Sequence, residues 1–184
     1  MPQISLTPEG SVLLIVDVQD SLLKSIYEQD RVVSRSAFLA NVCALLGIPI
    51  LATVQNPDRL GPIHDAFASL VTKTIPKMSF SCCDSDEFQV ALALEGRRQV
   101  VVVGVETHIC VGLTAQHLLS AGLSVAVCPD AVSASSQDRH KIGMERIRDT
   151  GIVPVHSEAV AYEWMRTADN PQFRALLKLV KQFQ

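Results

Sequence analysis

The run QVVVVG at residues 99–104 constrains this chain more than any other feature. Four consecutive valines leave no polar face, and β-branched side chains pack well on a pleated surface, so the run reads as a strand covered on both sides. Four segments of the same character recur: VLLIV at 12–16, IPILATV at 48–54, LSVAVC at 123–128 and GIVPV at 151–155, with a weaker TKTIPK at 72–77. Helical periodicity fills the intervals, at about 30–46, 85–95, 110–121, 137–149 and 171–183. Ser85 or Asp86 can open one of these helices, and Gly47, Gly96, Gly122 and Gly151 can close four of them. Strands that are apolar throughout and alternate with helices predict an α/β fold. The expected form is a three-layer α/β/α, doubly wound, mostly parallel sheet of about six strands in the order 3-2-1-4-5-6.

No Gly/Ser-rich or charged linker interrupts the 184 residues, so one domain over 1–184 is expected. A hydrophobic content of 48% with 19% charged residues excludes a disordered chain, and no apolar run approaches the roughly 18–20 residues that cross a bilayer. The formal charge is -3 and the lysines and arginines are scattered, so neither a nucleic-acid stripe nor a polybasic membrane patch can be drawn. The expected partner is a small-molecule substrate, with no nucleic acid and no membrane. The start, MPQISLTPEGS, has no charged segment followed by an apolar one, so no secretory leader is expected. Five cysteines, at 43, 82, 83, 110 and 128, are an odd number without CxxC spacing, which suits reduced thiols and a cytoplasmic location.

In an open parallel sheet the site lies at the carboxyl ends of the strands. VDVQD places Asp17 at the end of the first strand, with Gln19 and Asp20 beyond it. Alone, Asp17 is equally a turn former. The loop QNPDRLGPIHD after the second strand holds Asn56 and the adjacent pair His64 and Asp65 but contains no His-x-His or Asp-x-His pair, so no metal site and no cofactor are expected. Lys77 in KTIPKMSF precedes Phe80; beside a thiol, a desolvated ammonium lowers the thiol pKa and orients a carboxylate. Cys82 and Cys83 read as packing. In GVETHICVGLTA, a helix starting near Ile109 or Cys110 would aim free N–H groups and the positive end of its dipole at the thiol, favouring thiolate and offering an oxyanion site. His108 lies two residues from Cys110 at a turn, where its ring points away more readily than towards the sulfur. His117 reads as a packed or surface histidine, and Asp130, where the fifth strand ends in CPD, as a turn or cap residue. No GxGxxG, GxxxxGK[ST] or GxSxG occurs, which removes the main support for dinucleotide, P-loop and serine-hydrolase chemistry.

LLIVDVQ around Asp17, KMSF around Lys77 and VVVGVETHICVGLTA around Cys110 together resemble the isochorismatase-like, or cysteine hydrolase, family, over about residues 12–155. The loop QNPDRLGP is similar to the branch of isochorismatase-domain hydrolases without an assigned substrate. The resemblance implies an Asp17-Lys77-Cys110 triad. Asp17 would take the thiol proton, Lys77 would orient the carboxylate, and Cys110 would attack a small amide or related carbonyl compound to give a thioester that water hydrolyses. It also implies a non-proline cis peptide at Val105-Glu106, with the N–H groups of Glu106 and Cys110 as the oxyanion hole. Gln19, Asn56, Phe80 and His108 are the candidate pocket residues. Nicotinamidases of the family carry an Asp-x-His metal pair where this chain reads QNP, so a metal-independent enzyme is expected. Vinyl-ether hydrolysis with Asp17 as general acid, and a non-catalytic scaffold, are the alternatives. The stripe Phe173, Leu176, Leu177 and Val180 in FRALLKLVKQF is expected to seat a second subunit, giving a homo-oligomer.

Overall fold

The computed structural model describes residues 5–183. Met1–Ile4, on which the leader expectation partly rests, and Gln184 lie outside them. The strands are β1 Ser11–Val16, β2 Ile50–Gln55, β3 Lys73–Lys77, β4 Gln99–Val105, β5 Ser124–Ser133 and β6 Val153–Pro154. They form a sheet of order β3-β2-β1-β4-β5-β6 in which every neighbouring pair is parallel. The expected strand order and layering are those observed. The helices are α1 Asp20–Leu23, α2 Gln29–Leu46, α3 Pro57–Leu60, α4 Asp65–Ala68, α5 Asp86–Glu95, α6 Gly112–Ser120, α7 Gln137–Asp149, α8 Ser157–Met165 and α9 Phe173–Gln182.

Alternation along β1 sorts the two cores. Leu13 and Ile15 face a layer built from α2, α4, α8 and α9, while Val12, Leu14 and Val16 face α5, α6 and α7. Every residue of β1 and β4 is buried, as apolar strands covered on both sides must be. Each fully buried valine, leucine or isoleucine contributes about 1.5–3 kcal/mol, so the paired layers drive the fold. Helix ends follow local chemistry: the Ser85 side chain accepts the Phe88 N–H at the start of α5, and Gly47 and Gly96 close α2 and α5 in the left-handed conformation.

Three expectations are corrected. β5 does not end at Cys128. It runs through Pro129 and Asp130 to Ser133, because a register shift opposite Val102–Gly104 lets the ladder resume beyond the proline. A helix at Ser157–Met165, with Val160, Ala161 and Trp164 buried, was hidden by its short length and weak amphipathicity. The C-terminal stripe serves its own chain: Leu176 and Val180 are buried against the α2 side of the core, with Phe173 packed beside them and Leu177 exposed. An amphipathic helix has one apolar face, and α2 with α8 already covers it.

One glycine decides how the strand ends meet. Gly104 has φ 113°, and a Cβ there would lie 2.1 Å from the Val16 carbonyl oxygen. Only glycine lets β4 close on β1 at that level, directly before Asp17 on one strand and Val105 on the other.

Candidate active site

Asp17 leaves β1 with φ 52°, in the left-handed region that aspartate tolerates at a cost of about 1–2 kcal/mol. Its carboxylate is wholly buried and accepts two hydrogen bonds. Thr53 Oγ1 donates to Oδ1 at 2.7 Å, and Lys77 Nζ donates to Oδ2 at 2.7 Å. The Asp17–Lys77 ion pair is shut off from solvent, with side chains 1% and 0% exposed. Lys77 sits at the last position of β3, and its ammonium also reaches Gln55 Oε1 at 2.6 Å, Ser79 O at 3.1 Å and Phe80 O at 3.3 Å. The strap 78–80 therefore wraps the ammonium with carbonyls, leaving the Met78 and Phe80 side chains 70% and 60% exposed.

Cys110 lies beside this pair in a π-turn, Thr107–Val111, with α6 beginning only at Gly112. The expected helix start at Ile109 or Cys110 is thus displaced. Val111 N–H reaches back five residues to the Glu106 carbonyl at 3.2 Å, a widened turn of the kind found at functional sites. Two glycines make room for it. A Cβ at Gly112 would meet Thr107 O at 2.8 Å, and one at Gly143 of α7 would meet His108 N at 2.9 Å. The Val105–Glu106 peptide that opens the turn is cis.

Burial, and then the neighbouring Asp17 carboxylate, push the Cys110 thiol up to about 12, with the Lys77 ammonium pulling the other way. The helix-end and lysine effects that would favour thiolate are outweighed here by desolvation and the carboxylate. Asp17 is the carboxylate whose charge bears on this thiol. Cys82, buried on the same side, is raised to about 11 by burial and by Asp17.

The remaining candidates divide. Phe80 touches the site through its carbonyl, and Asn56 through its N–H, which donates to Lys77 O at 2.9 Å. Gln19 is fully buried with its amide spent on backbone: Oε1 accepts the Gln55 N–H at 2.8 Å, and Nε2 donates to Gln55 O and Gly61 O at 3.1 and 2.7 Å. It clamps the 55–61 loop. His108 does not join the acid–lysine pair; its Nδ1 is buried, lacks a hydrogen-bond partner and lies 3.9 Å from Glu106 Oε2. Glu106 Oε2 accepts the Ser135 N–H at 2.8 Å. His117 pairs with Ser81 Oγ at 2.9 Å, and His64 accepts the Ala66 N–H at the start of α4. Among the described residues no group of three or more His, Cys, Asp or Glu is arranged to hold a metal ion. Thr53, Gln55 and Cys82 are site neighbours that the sequence reading did not single out. The available signal was two polar residues, two apart, at the end of the otherwise apolar strand ILATVQ.

A doubly wound parallel sheet with a carboxylate, an ammonium and a thiol gathered at its carboxyl edge defines the class: an α/β protein of the isochorismatase fold. The Isochorismatase domain model matches residues 11–159. Isochorismatase domain-containing protein 2A of Mus musculus is 34% identical over 178 residues, 95% of this chain and 84% of the relative. Isochorismatase domain-containing protein 2 of Danio rerio is 32% identical over 175 residues, covering 95% and 89%. Among solved structures, the MAR1 ribonuclease of Caenorhabditis elegans superposes with a TM-score of 0.91 at 27% identity, covering 97% of this chain and 93% of that one. The Escherichia coli YcaC gene product, an octameric hydrolase of unknown specificity, shares the fold with a TM-score of 0.88 at 21% identity, covering 100% of both chains. The chain belongs to the isochorismatase family of hydrolases. No helix among its described residues is long and apolar enough to cross a membrane.

Proposed function

We propose that this protein is a metal-independent cysteine hydrolase of small amides or related carbonyl compounds, using Asp17, Lys77 and Cys110. The observation that carries the reading is the solvent-excluded Asp17–Lys77 pair at 2.7 Å with the Cys110 thiol beside it. Asp17 takes the thiol proton as sulfur attacks the carbonyl carbon, then returns it to the leaving amine. Lys77 holds the carboxylate in place and offsets the negative charge that develops nearby. The tetrahedral oxygen is received by the N–H groups of Glu106 and Cys110. Collapse gives an acyl thioester and free amine, and water attacking that thioester with Asp17 again as base regenerates the thiol. No cofactor enters any step.

The same reading takes 1–184 as one domain of a cytoplasmic protein without nucleic-acid or membrane partners. It makes the protein a homo-oligomer, in line with the octameric E. coli YcaC. The ribonuclease name of the C. elegans protein sets a competing substrate class. A net charge of -3 without a basic stripe weighs against it here.

The test is a panel of small primary amides followed by ammonia release, with the acyl-enzyme sought by intact mass. Cys110→Ala is expected to reduce turnover about 1,000-fold or more and to remove the adduct. Undiminished turnover in Cys110→Ala sinks the nucleophile. Loss of activity in Asp17→Asn alone, on a vinyl ether, favours general-acid ether hydrolysis instead, and RNA cleavage that survives Cys110→Ala moves the reading to the ribonuclease class.

A further inference from the structure

We infer that Thr53 is a positioning residue for the reaction, setting the orientation of the Asp17 carboxylate. The inference rests on Asp17 acting as the base for Cys110. Val16 pairs with Thr53 in the β1–β2 ladder, and the Asp17 N–H donates to the Thr53 carbonyl at 3.1 Å. The hydroxyl of the same residue then donates to Asp17 Oδ1 at 2.7 Å, so Thr53 grips both the backbone and the carboxylate of one residue. Two residues along β2, on the same face, Gln55 Oε1 accepts from Lys77 Nζ at 2.6 Å. One strand therefore holds both halves of the ion pair.

Hydrogen counting fixes the direction. A hydroxyl has one hydrogen, and an ionised carboxylate can only accept, so the Thr53 hydrogen goes to Asp17. The Thr53 oxygen remains an acceptor and faces the Cys82 thiol at 3.7 Å. With Thr53 on Oδ1 and Lys77 on Oδ2, the carboxylate cannot rotate, and the lone pairs not taken by these two donors are left for the Cys110 proton. Both Thr53 and Asp17 are 0% exposed, so no water replaces the hydroxyl if it is removed.

The probe is 4-nitrophenyl acetate at pH 7, with acetylation of Cys110 followed by intact mass and peptide mapping. Thr53→Val, which keeps the shape and loses the hydroxyl, should slow acetylation about tenfold, while Thr53→Ser, which keeps the hydroxyl, should hold the wild-type rate within about twofold. A merely structural role would reverse that order, because Thr53→Ser loses the packed methyl that Thr53→Val retains. An unchanged rate in folded Thr53→Val, with acetylation abolished in Asp17→Asn, overturns the assignment and spares the triad. Acetylation that persists in Asp17→Asn, or a wild type that never acetylates at Cys110, overturns the triad and this assignment with it.

Discussion

Asp17 and Asp130 are the same arrangement twice. Asp17 directly follows β1 and Asp130 lies within β5, each pairs with a buried or nearly buried cation, and each has a cysteine close enough for its charge to raise the thiol pKa. The difference lies in what else the carboxylates hold. Asp130 receives Arg35 Nε at 3.1 Å and the Ser157 N–H at 3.0 Å, together with the Ser157 hydroxyl, and His156 Nε2 stands at 3.4 Å. It anchors the first turn of α8, and its capacity is spent. Asp17 has one donor on each oxygen and no helix to cap. The cysteines differ in the same sense: Cys128 is 0% exposed within the core, whereas Cys110 is 9% exposed in a turn. A cavity of about 420 Å³ borders Asp130, lined in part by Tyr27, Arg31, His140 and His156, and it includes none of Asp17, Lys77 or Cys110. Chemistry at a carboxylate requires unspent lone pairs beside a reachable nucleophile, and cavity volume alone does not locate it.

The sharpest way to break this comparison is to neutralise each aspartate in turn. Asp17→Asn should reduce ammonia release from the best amide about 1,000-fold or more, because the leaving amine loses its proton donor. Asp130→Asn should leave it within about twofold. Equal losses would mean that Asp130 also belongs to the chemistry. Next in size is stability, measured by urea unfolding. Lys77→Met leaves the Asp17 carboxylate buried without its cation and should cost about 3–5 kcal/mol. Arg35→Met should cost about 1–2 kcal/mol, since Asp130 is 14% exposed and keeps its Ser157 donors. A reversed order would make Asp130 the more dependent carboxylate.

A further effect lies in alkaline pH. Cys110 is raised to about 12 and Cys82 to about 11, from an ordinary 9.0, so the folded state holds these thiol protons more tightly than the unfolded chain. Their contribution is fully present below pH 9 and is lost as pH rises through 11 to 12. Urea midpoints should therefore fall between pH 9 and 11, and the Cys82→Ala, Cys110→Ala double variant should show a shallower fall. A slope unchanged by that double variant would assign the alkaline loss to Cys128 and the other thiols instead.

The chemistry-bearing residues were legible because their signals are local. An aspartate ending an apolar strand, a lysine between a proline and an exposed strap, and a cysteine after a valine run can each be read in place. Thr53 escaped because its local signal, one polar residue two before Gln55 at the end of ILATVQ, reads equally as a β-branched filler. Its role comes from the Val16 pairing across the sheet. The raised pKa of the Cys110 thiol was hidden for a related reason: sequence shows a helix approaching and a lysine available, while burial and the proximity of Asp17 exist only once β1 and β4 are side by side.

What the sequence determined by itself was the alternation of fully apolar strands with helices. That alternation leaves burial between two helical layers as its stable outcome, and with it a site at the carboxyl edge. The tertiary structure decided which polar groups there are spent and which remain free. That choice depends on register, on the close approach permitted by Gly104, and on hydrogen bonds between residues 36 and 60 positions apart. Such distances are fixed only when the sheet has assembled.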